Sequence, residues 1–443
     1  MSPKMGKERE VTMLFQDITI IDEHFQVREN MFVGVKDDKI AYVGTEKPGE
    51  DFGEVYPGKG RLLMNAFYNA HGHTPMTTMR GYGENLPLSD WLNQKIFPFE
   101  AKQQARDIYY GMLLGIGEMI RFGTVSTTDM YMYGESMAQA VLETGVKSNL
   151  GFAMVCFDDR DFYELPEYRE TKYMYENYHG KGNGRLLIDS SIHAEYTSNP
   201  KVAGQFAQYS LELGTNMNLH LSETRKEHEE CKQRHGKTPA RYFYDLGVFD
   251  SHATAAHCVW LEGEDFDLLK EKDVTVASCP VSNVKLASGI CDVKKLLSMG
   301  INVAIGTDSV ASNNSLNMIE EMKFFALLQK VKHYDATAVT PQQAIYAATR
   351  AGALAQGRQD CGLLKEGGKA DLIVLDIQGP HMRPVYDLKN NLVYSADGGD
   401  VALTMCDGKV LYENGEYKTL DVERAAFEVA QTGKRILSDL SRK

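Results

Sequence analysis

Between about residues 62 and 365 the chain alternates eight short apolar runs with stretches of helical patterning. The runs fall at 65–73 (NAFYNAHGH), 123–132 (GTVSTTDMYM), 147–155 (KSNLGFAMV), 185–194 (RLLIDSSIHA), 215–223 (TNMNLHLSE), 253–261 (ATAAHCVWL), 273–279 (DVTVASC) and 301–309 (INVAIGTDS). A strand covered on both faces reads as a near-continuous apolar run, and parallel neighbours need a crossover long enough to hold a helix. Eight such units in roughly 300 residues predict a (β/α)8 barrel of the TIM type rather than an open doubly wound sheet. In such a barrel the functional groups gather at the C-terminal ends of the strands.

The flanks carry a different pattern. Residues 12–44 contain short β-branched runs broken by polar turns at Asp22, Glu23 and His24 and again at Asp37 and Asp38. A second β-rich set comes late, KADLIVLDI at 369–377 and DVALTMCDGKVLYENGEY at 400–417, with Asp407 and Gly408 as a hairpin turn. Residues 1–64 and 366–420 are therefore expected to form one small composite β-sandwich beside a barrel spanning 65–365. Residues 421–443 read as a charged amphipathic helix.

Composition narrows the setting. Seven scattered cysteines with no C-x-x-C pair fit a reduced cytoplasmic protein and exclude the cysteine-based zinc signatures. The start, MSPKMGKEREVTMLF, has no apolar leader core, and no window approaches the ~18 apolar residues of a membrane span. A net charge of −13 without a basic stripe disfavours nucleic acid and anionic membranes as partners, leaving a small molecule as the expected substrate.

The ends of the eight runs are where the chemistry collects. The first ends in His71 and His73, the fourth carries His193, the fifth ends with His220 and Glu223, the sixth carries His257 and the eighth ends in Asp308. Residues two apart on a strand point to one face, so His71 and His73 are expected side by side. Imidazoles with a carboxylate suit zinc or iron, and His71, His73, His220 and Asp308 make such a set. A metal there would bring the pKa of a water towards neutrality. Glu223, just past its strand, is placed to act as general base and then acid, and His257 to hydrogen-bond developing negative charge. Zn2+ is the expected metal, with Fe2+ or Mn2+ open.

The segments NAHGHTPMTTMRGYGENLPLSDWL, HLSET, AAHCVWL, CPVSNVKLASGI and GTDSVASNNSLNMIEEM resemble the amidohydrolase superfamily, most of all its branch of 5'-methylthioadenosine and S-adenosylhomocysteine deaminases, over about residues 12–420. The resemblance implies a mononuclear zinc site on His71, His73, His220 and Asp308, with Glu223 shuttling protons, His257 assisting and Asp308 doubling as a proton acceptor. It further implies that Trp91 packs on the base or sugar, that Glu100 accepts from the ribose hydroxyls, and that His193 contacts the base. Two vicinal hydroxyls facing one carboxylate make a two-acceptor clamp.

Three departures stand out: Gly72 between the first two histidines where Thr is common, Glu195 in IHAEYT as an extra charge near the pocket rim, and Phe152 where members accepting S-adenosylhomocysteine carry an arginine. Losing that arginine penalises a carboxylate-bearing tail, with Arg160 and Arg169 as the replacements available in the following loop. The expected activity is metal-dependent hydrolytic deamination of an adenosine-type nucleoside with a neutral or short 5' group. The alternatives are deamination or dechlorination of a ribose-free ring such as guanine, a pterin or a triazine, and a non-enzymatic binding barrel. The absence of a P-C-x-x-C to pair with an H-x-E argues against the other zinc deaminase class. A homodimer or higher homo-oligomer is an expectation for a barrel of this size.

Overall fold

The computed structural model describes residues 12–442. Residues 1–11, assigned above to the β-rich flank and read for a leader, and residue 443, assigned above to the C-terminal helix, lie outside the described residues. The N-terminal flank forms β1 (Thr12–Ile21), β2 (Val27–Lys36), β3 (Lys39–Gly44), β4 (Glu54–Pro57) and β5 (Arg61–Asn65). Eight barrel strands follow: β6 (Phe67–Gly72), β7 (Thr124–Met130), β8 (Lys147–Met154), β9 (Leu186–Ile192), β10 (Met217–Leu221), β11 (Ala253–His257), β12 (Thr275–Ser278) and β13 (Val303–Ile305). The late flank supplies β14 (Leu372–Asp376), β15 (Val401–Cys406), β16 (Lys409–Glu413) and β17 (Glu416–Tyr417).

The flanking strands make one sheet in the order β17-β16-β15-β14-β5-β1-β2-β3, with β4 beside β1. Its two halves, far apart in the chain, are joined by the antiparallel β5/β14 ladder from Asn65–Leu372 to Arg61–Asp376. Phe15, Ile18, Val33, Leu63, Val374 and Leu403 share one core, so strands from both chain ends close over the same apolar cluster. The turn between β15 and β16 puts both Asp407 and Gly408 at positive φ, the geometry that matches the twist of a two-residue hairpin.

Each of the eight apolar runs contains a barrel strand, and all the neighbouring barrel strands pair in parallel. The two ends of that sheet meet at a narrow seam. Gly72 bridges to Asp308, the Asp308 amide donates to the His71 carbonyl at 3.0 Å, and the Asn69 side chain donates to Thr307 Oγ1 at 2.7 Å while accepting from the Thr307 amide at 3.0 Å. Gly306 is required here, because a Cβ at that position would lie 2.8–3.0 Å from His71 Cβ, carbonyl and amide atoms.

A buried ion cluster ties the barrel to the sheet. Lys147, at the start of β8, donates to both oxygens of Asp371 (2.5 and 2.6 Å) and to Asp407 (2.6 Å), while the Tyr68 hydroxyl also donates to Asp371. The paired carboxylates hold Lys147 protonated despite complete burial. The C-terminal helix, Val422–Ser441, packs on the helix Ala105–Arg121, where Asp107 accepts from Thr432 (2.7 Å) and pairs with Arg435. All seven cysteines are free and buried, and no helix among the described residues is long and apolar enough to cross a membrane.

Candidate active site

The strand ends deliver the groups to one place. His73 Nε2 and His71 Nε2 lie 3.3 and 3.6 Å from Asp308 Oδ1, and His220 Nε2 lies 3.4 Å from His73 Nε2. Glu223 Oε2 sits 3.9 Å from His257 Nε2. Eight of the nine site residues expected from sequence (His73, Trp91, Glu100, His193, His220, Glu223, His257 and Asp308) line one cavity of about 430 Å³, the size of a small-molecule pocket. The ninth, His71, is buried against the others, its ring 4.9 Å from those of both His73 and His220.

One local expectation is corrected. His73 does not share a strand with His71, because β6 stops at Gly72 and the next residues turn into a 3-10 helix, Thr74–Met79, opened by Pro75. Proline cannot continue the ladder and biases the residue before it, so the chain leaves the barrel here. Asp129, accepting from both the amide and the hydroxyl of Thr74 at 2.6 Å, fixes the exit.

The second nitrogen of each ring decides what the first can do. His73 Nδ1 lies 2.6 Å from the Met130 carbonyl and His220 Nδ1 2.7 Å from the His193 carbonyl. A carbonyl only accepts, so both Nδ1 atoms carry the proton and both Nε2 atoms offer a lone pair inward. His71 Nε2 is buried without any hydrogen-bond partner. Asp308 Oδ2 accepts from Ser282 (2.5 Å) and Ser312 (3.0 Å), leaving Oδ1 turned to the imidazoles. These donors fit a divalent metal: three imidazole nitrogens, one of them otherwise orphaned, and a carboxylate oxygen with its other oxygen already anchored.

By distance alone His257 also qualifies, since His71, His220 and His257 form a second set of ligand atoms within 4.8 Å beside His71, His73 and Asp308. Its hydrogen bonding separates it. The Asn283 amide nitrogen lies 2.9 Å from His257 Nδ1, so Nδ1 accepts and Nε2 is the protonated nitrogen, a donor rather than a ligand.

Burial holds His71, His193 and His257 down at about 4 and His220 well below its usual range, so these rings are neutral at physiological pH. Burial lowers His73, but the hydrogen bond and charge of Asp308, with the Met130 carbonyl and Asp129, together raise it. Glu223 moves the other way: burial, then the charge of Asp308, pushes it up to about 8. Glu100, half-buried, is pushed up to about 6 by burial, with the Tyr131 hydroxyl pulling it back.

Several features that position this site carry no signal in the residue pattern. Ser222, His257 and Asp308, at or just past strand ends, all have left-handed backbone (φ 47°, 73° and 58°), a strained state for residues other than glycine. Glu227 holds the first of these, accepting from the Ser222 and Glu223 amides at 2.9 and 2.7 Å. Asn283, Ser282 and Ser312 act instead on side chains, donating to His257 Nδ1 and to Asp308 Oδ2. Trp91 and Glu100 reach one cavity through a helical irregularity. Nine residues make two and a half α-helical turns and would face opposite ways, but a π-helical turn, Leu92–Ile96, separates the short helices Leu88–Trp91 and Phe97–Glu100 and takes up the excess.

Two further expectations are revised. Glu195 does not charge the pocket rim. It is 1% exposed and clamped by Arg234 (2.5 Å) and His235 (2.9 Å), which ties the His193 loop to the helix Arg225–His235 that follows Glu223. Neither Arg160 nor Arg169 replaces the arginine missing at Phe152: both are exposed, Arg160 is bonded to Asp158 at 2.9 Å, and neither lines the cavity.

Comparison with known proteins agrees with this geometry. The amidohydrolase family model matches residues 62–411. The chain belongs to the amidohydrolase family. It is 37% identical over 430 residues to a 5-methylthioadenosine/S-adenosylhomocysteine deaminase of Thermoanaerobacter pseudethanolicus, covering 96% of this chain and 100% of that one. It is 39% identical to the protein of the same name from Moorella thermoacetica, covering 96% and 99%. Among solved structures, an adenosine deaminase from Xanthomonas campestris with bound zinc superposes with a TM-score of 0.90 at 28% identity, covering 96% of this chain and 98% of that one.

The hydroxyls on Asp308 generate a prediction. Changing Ser282 and Ser312 together to Ala removes both donors to Oδ2, and zinc affinity, read by competition with a chromophoric chelator, should fall by about 10- to 100-fold. An unchanged affinity would mean that Asp308 needs no such anchoring.

Proposed function

We propose that this chain is a metal-dependent hydrolase that deaminates an adenosine-type nucleoside whose 5' substituent carries no carboxylate. The observation that carries this reading is one cavity joining the imidazole and carboxylate cluster to Trp91 and Glu100. The relatives named as deaminases support the same reaction class.

In the reaction a C–O bond forms between water and C6 of the base, the C6–N6 bond breaks, and nitrogen leaves as ammonia. His71, His73, His220 and Asp308 would hold a divalent metal, zinc in our reading, which would supply the Lewis acidity that makes water nucleophilic at neutral pH. Glu223, whose carboxyl is pushed up to about 8 and so readily holds a proton, takes the proton from water and delivers it to N1 of the purine. His257 directs its Nε2–H towards the oxygen that gains negative charge, and Asp308 Oδ1 accepts the remaining water proton before it passes to the departing nitrogen. In this reading His193 contacts the base, Trp91 offers it an apolar surface, and Glu100 accepts from the ribose hydroxyls.

Ammonia release across adenosine, 5'-deoxyadenosine, 5'-methylthioadenosine, S-adenosylhomocysteine, adenine, guanine and an aminotriazine tests this reading. Turnover should be confined to nucleosides, and turnover of a ribose-free ring alone would overturn it. Glu223→Gln should lower kcat by at least about 1000-fold while the bound metal, measured by elemental analysis, stays at the wild-type level. Normal turnover would remove Glu223 from the mechanism.

The pH dependence of binding follows from Glu100. Its carboxyl is ionised above about 6 and protonated below, and only the ionised form offers all its acceptor sites to the ribose. The KM for a nucleoside should therefore rise about tenfold between pH 7 and pH 5, and the rise should vanish in Glu100→Gln. A rise that persists in that variant would place the titrating group elsewhere.

A further inference from the structure

The wall of the cavity around Phe152 is built from Phe152, Val155, Pro166, Glu167 and Glu170. Glu167 and Glu170 stand three apart in the helix Pro166–Tyr178, so they share a face, and that face is turned to the cavity. Glu170 Oε1 accepts from the Gly134 amide at 2.8 Å, and a Cβ on Gly134 would lie 2.6 Å from the Phe152 ring, so carboxylate, glycine and ring are one packed unit. Glu167 Oε2 is shut off from solvent and has no hydrogen-bond partner.

No lysine or arginine among the described residues lines this cavity, which also holds Glu100, Glu223 and Asp308. The Glu167 carboxylate draws on its own amide and that of Val155, and Arg160, whose charge also acts on it, stands in solvent bonded to Asp158. Burial raises both Glu167 and Glu170, as expected of carboxylates that lack a cation. An unpaired carboxylate on an apolar wall is costly unless a ligand completes it.

Resting on the nucleoside reading above, we infer that Glu167 and Glu170 are the recognition element for the 5' substituent, and that the nucleoside accepted best has a 5' tail ending in an ammonium group with no carboxylate. An ammonium offers a full positive charge and three donors to two cavity-lining carboxylates that no cation of the cavity wall neutralises. A methyl-terminated tail leaves the pair unsatisfied. An amino-acid tail brings its own carboxylate against Glu167 and Glu170, with Phe152 offering it nothing.

Three nucleosides that differ only in the tail test this: 5'-(3-aminopropylthio)-5'-deoxyadenosine, 5'-methylthioadenosine and S-adenosylhomocysteine. Wild-type kcat/KM should favour the aminopropyl compound over the methyl compound by at least about tenfold and place S-adenosylhomocysteine last. Glu167→Gln and Glu170→Gln preserve size and, at Glu170, the acceptor for Gly134. The double variant should bring the aminopropyl-to-methyl ratio to within about twofold of one, with the change carried by KM. Deamination of 5'-methylthioadenosine with no preference for the amine, or a preference that survives in the double variant, overturns this inference and leaves the nucleoside reading standing. Silence on every nucleoside overturns the nucleoside reading instead. The preference is then read from calorimetric dissociation constants of the same three compounds, where equal values overturn it.

Discussion

The hydrogen bond from the Asp308 amide to the His71 carbonyl closes the barrel, and the site depends on it. It joins the first barrel strand to the chain leaving the last one, across 237 positions of sequence from residue 71 to residue 308. A carboxylate and two imidazoles thereby come within 3.6 Å without any ladder of β pairing between β6 and β13. Few residues could stand beside that contact. Gly306 admits the His71 backbone, and Asn69 with Thr307 makes a reciprocal side-chain pair that holds the register.

Around the seam, the partners of each group sort otherwise similar histidines into different roles. Carbonyls behind His73 and His220 turn a lone pair inward, whereas the amide behind His257 turns a proton inward. The same logic separates the carboxylates. Asp308, fixed by two hydroxyls and flanked by imidazoles, is held well below its usual range, while Glu223, buried with Asp308 nearby, holds its proton to about 8. Groups whose affinities for protons are pushed apart in this way divide acid and base work between them. Left-handed backbone at Ser222, His257 and Asp308 is the local strain that aims these side chains, and it persists because the Glu227, Leu221 and His71 hydrogen bonds hold the neighbouring backbone in place.

Much of this was legible in the sequence because burial on both faces writes itself as apolar runs, and each run contains a strand. The histidines and carboxylates were legible because they interrupt those runs at one end. What was not legible depends on partners that only the fold supplies. Asn283, Ser282 and Ser312 are ordinary loop and helix-start polar residues until β11 and the β6/β13 seam bring His257 and Asp308 to them. Glu195 looked like a rim charge because its partners, Arg234 and His235, lie some forty residues on and approach only through the next helix. Glu167 and Glu170 sit in a polar helix that also exposes Arg169, Lys172 and Glu176, so nothing in the pattern marks the side that faces the ligand.

An anomalous-scattering map from crystals of the zinc-loaded protein, collected on both sides of the zinc absorption edge, tests the central claim most directly. The account predicts one zinc ion per chain, bonded to Nε2 of His71, His73 and His220 and to Oδ1 of Asp308, with Glu223 and His257 outside bonding distance. Zinc bonded to His257 in place of Asp308, or an empty seam in protein that still releases ammonia from a nucleoside, would contradict it.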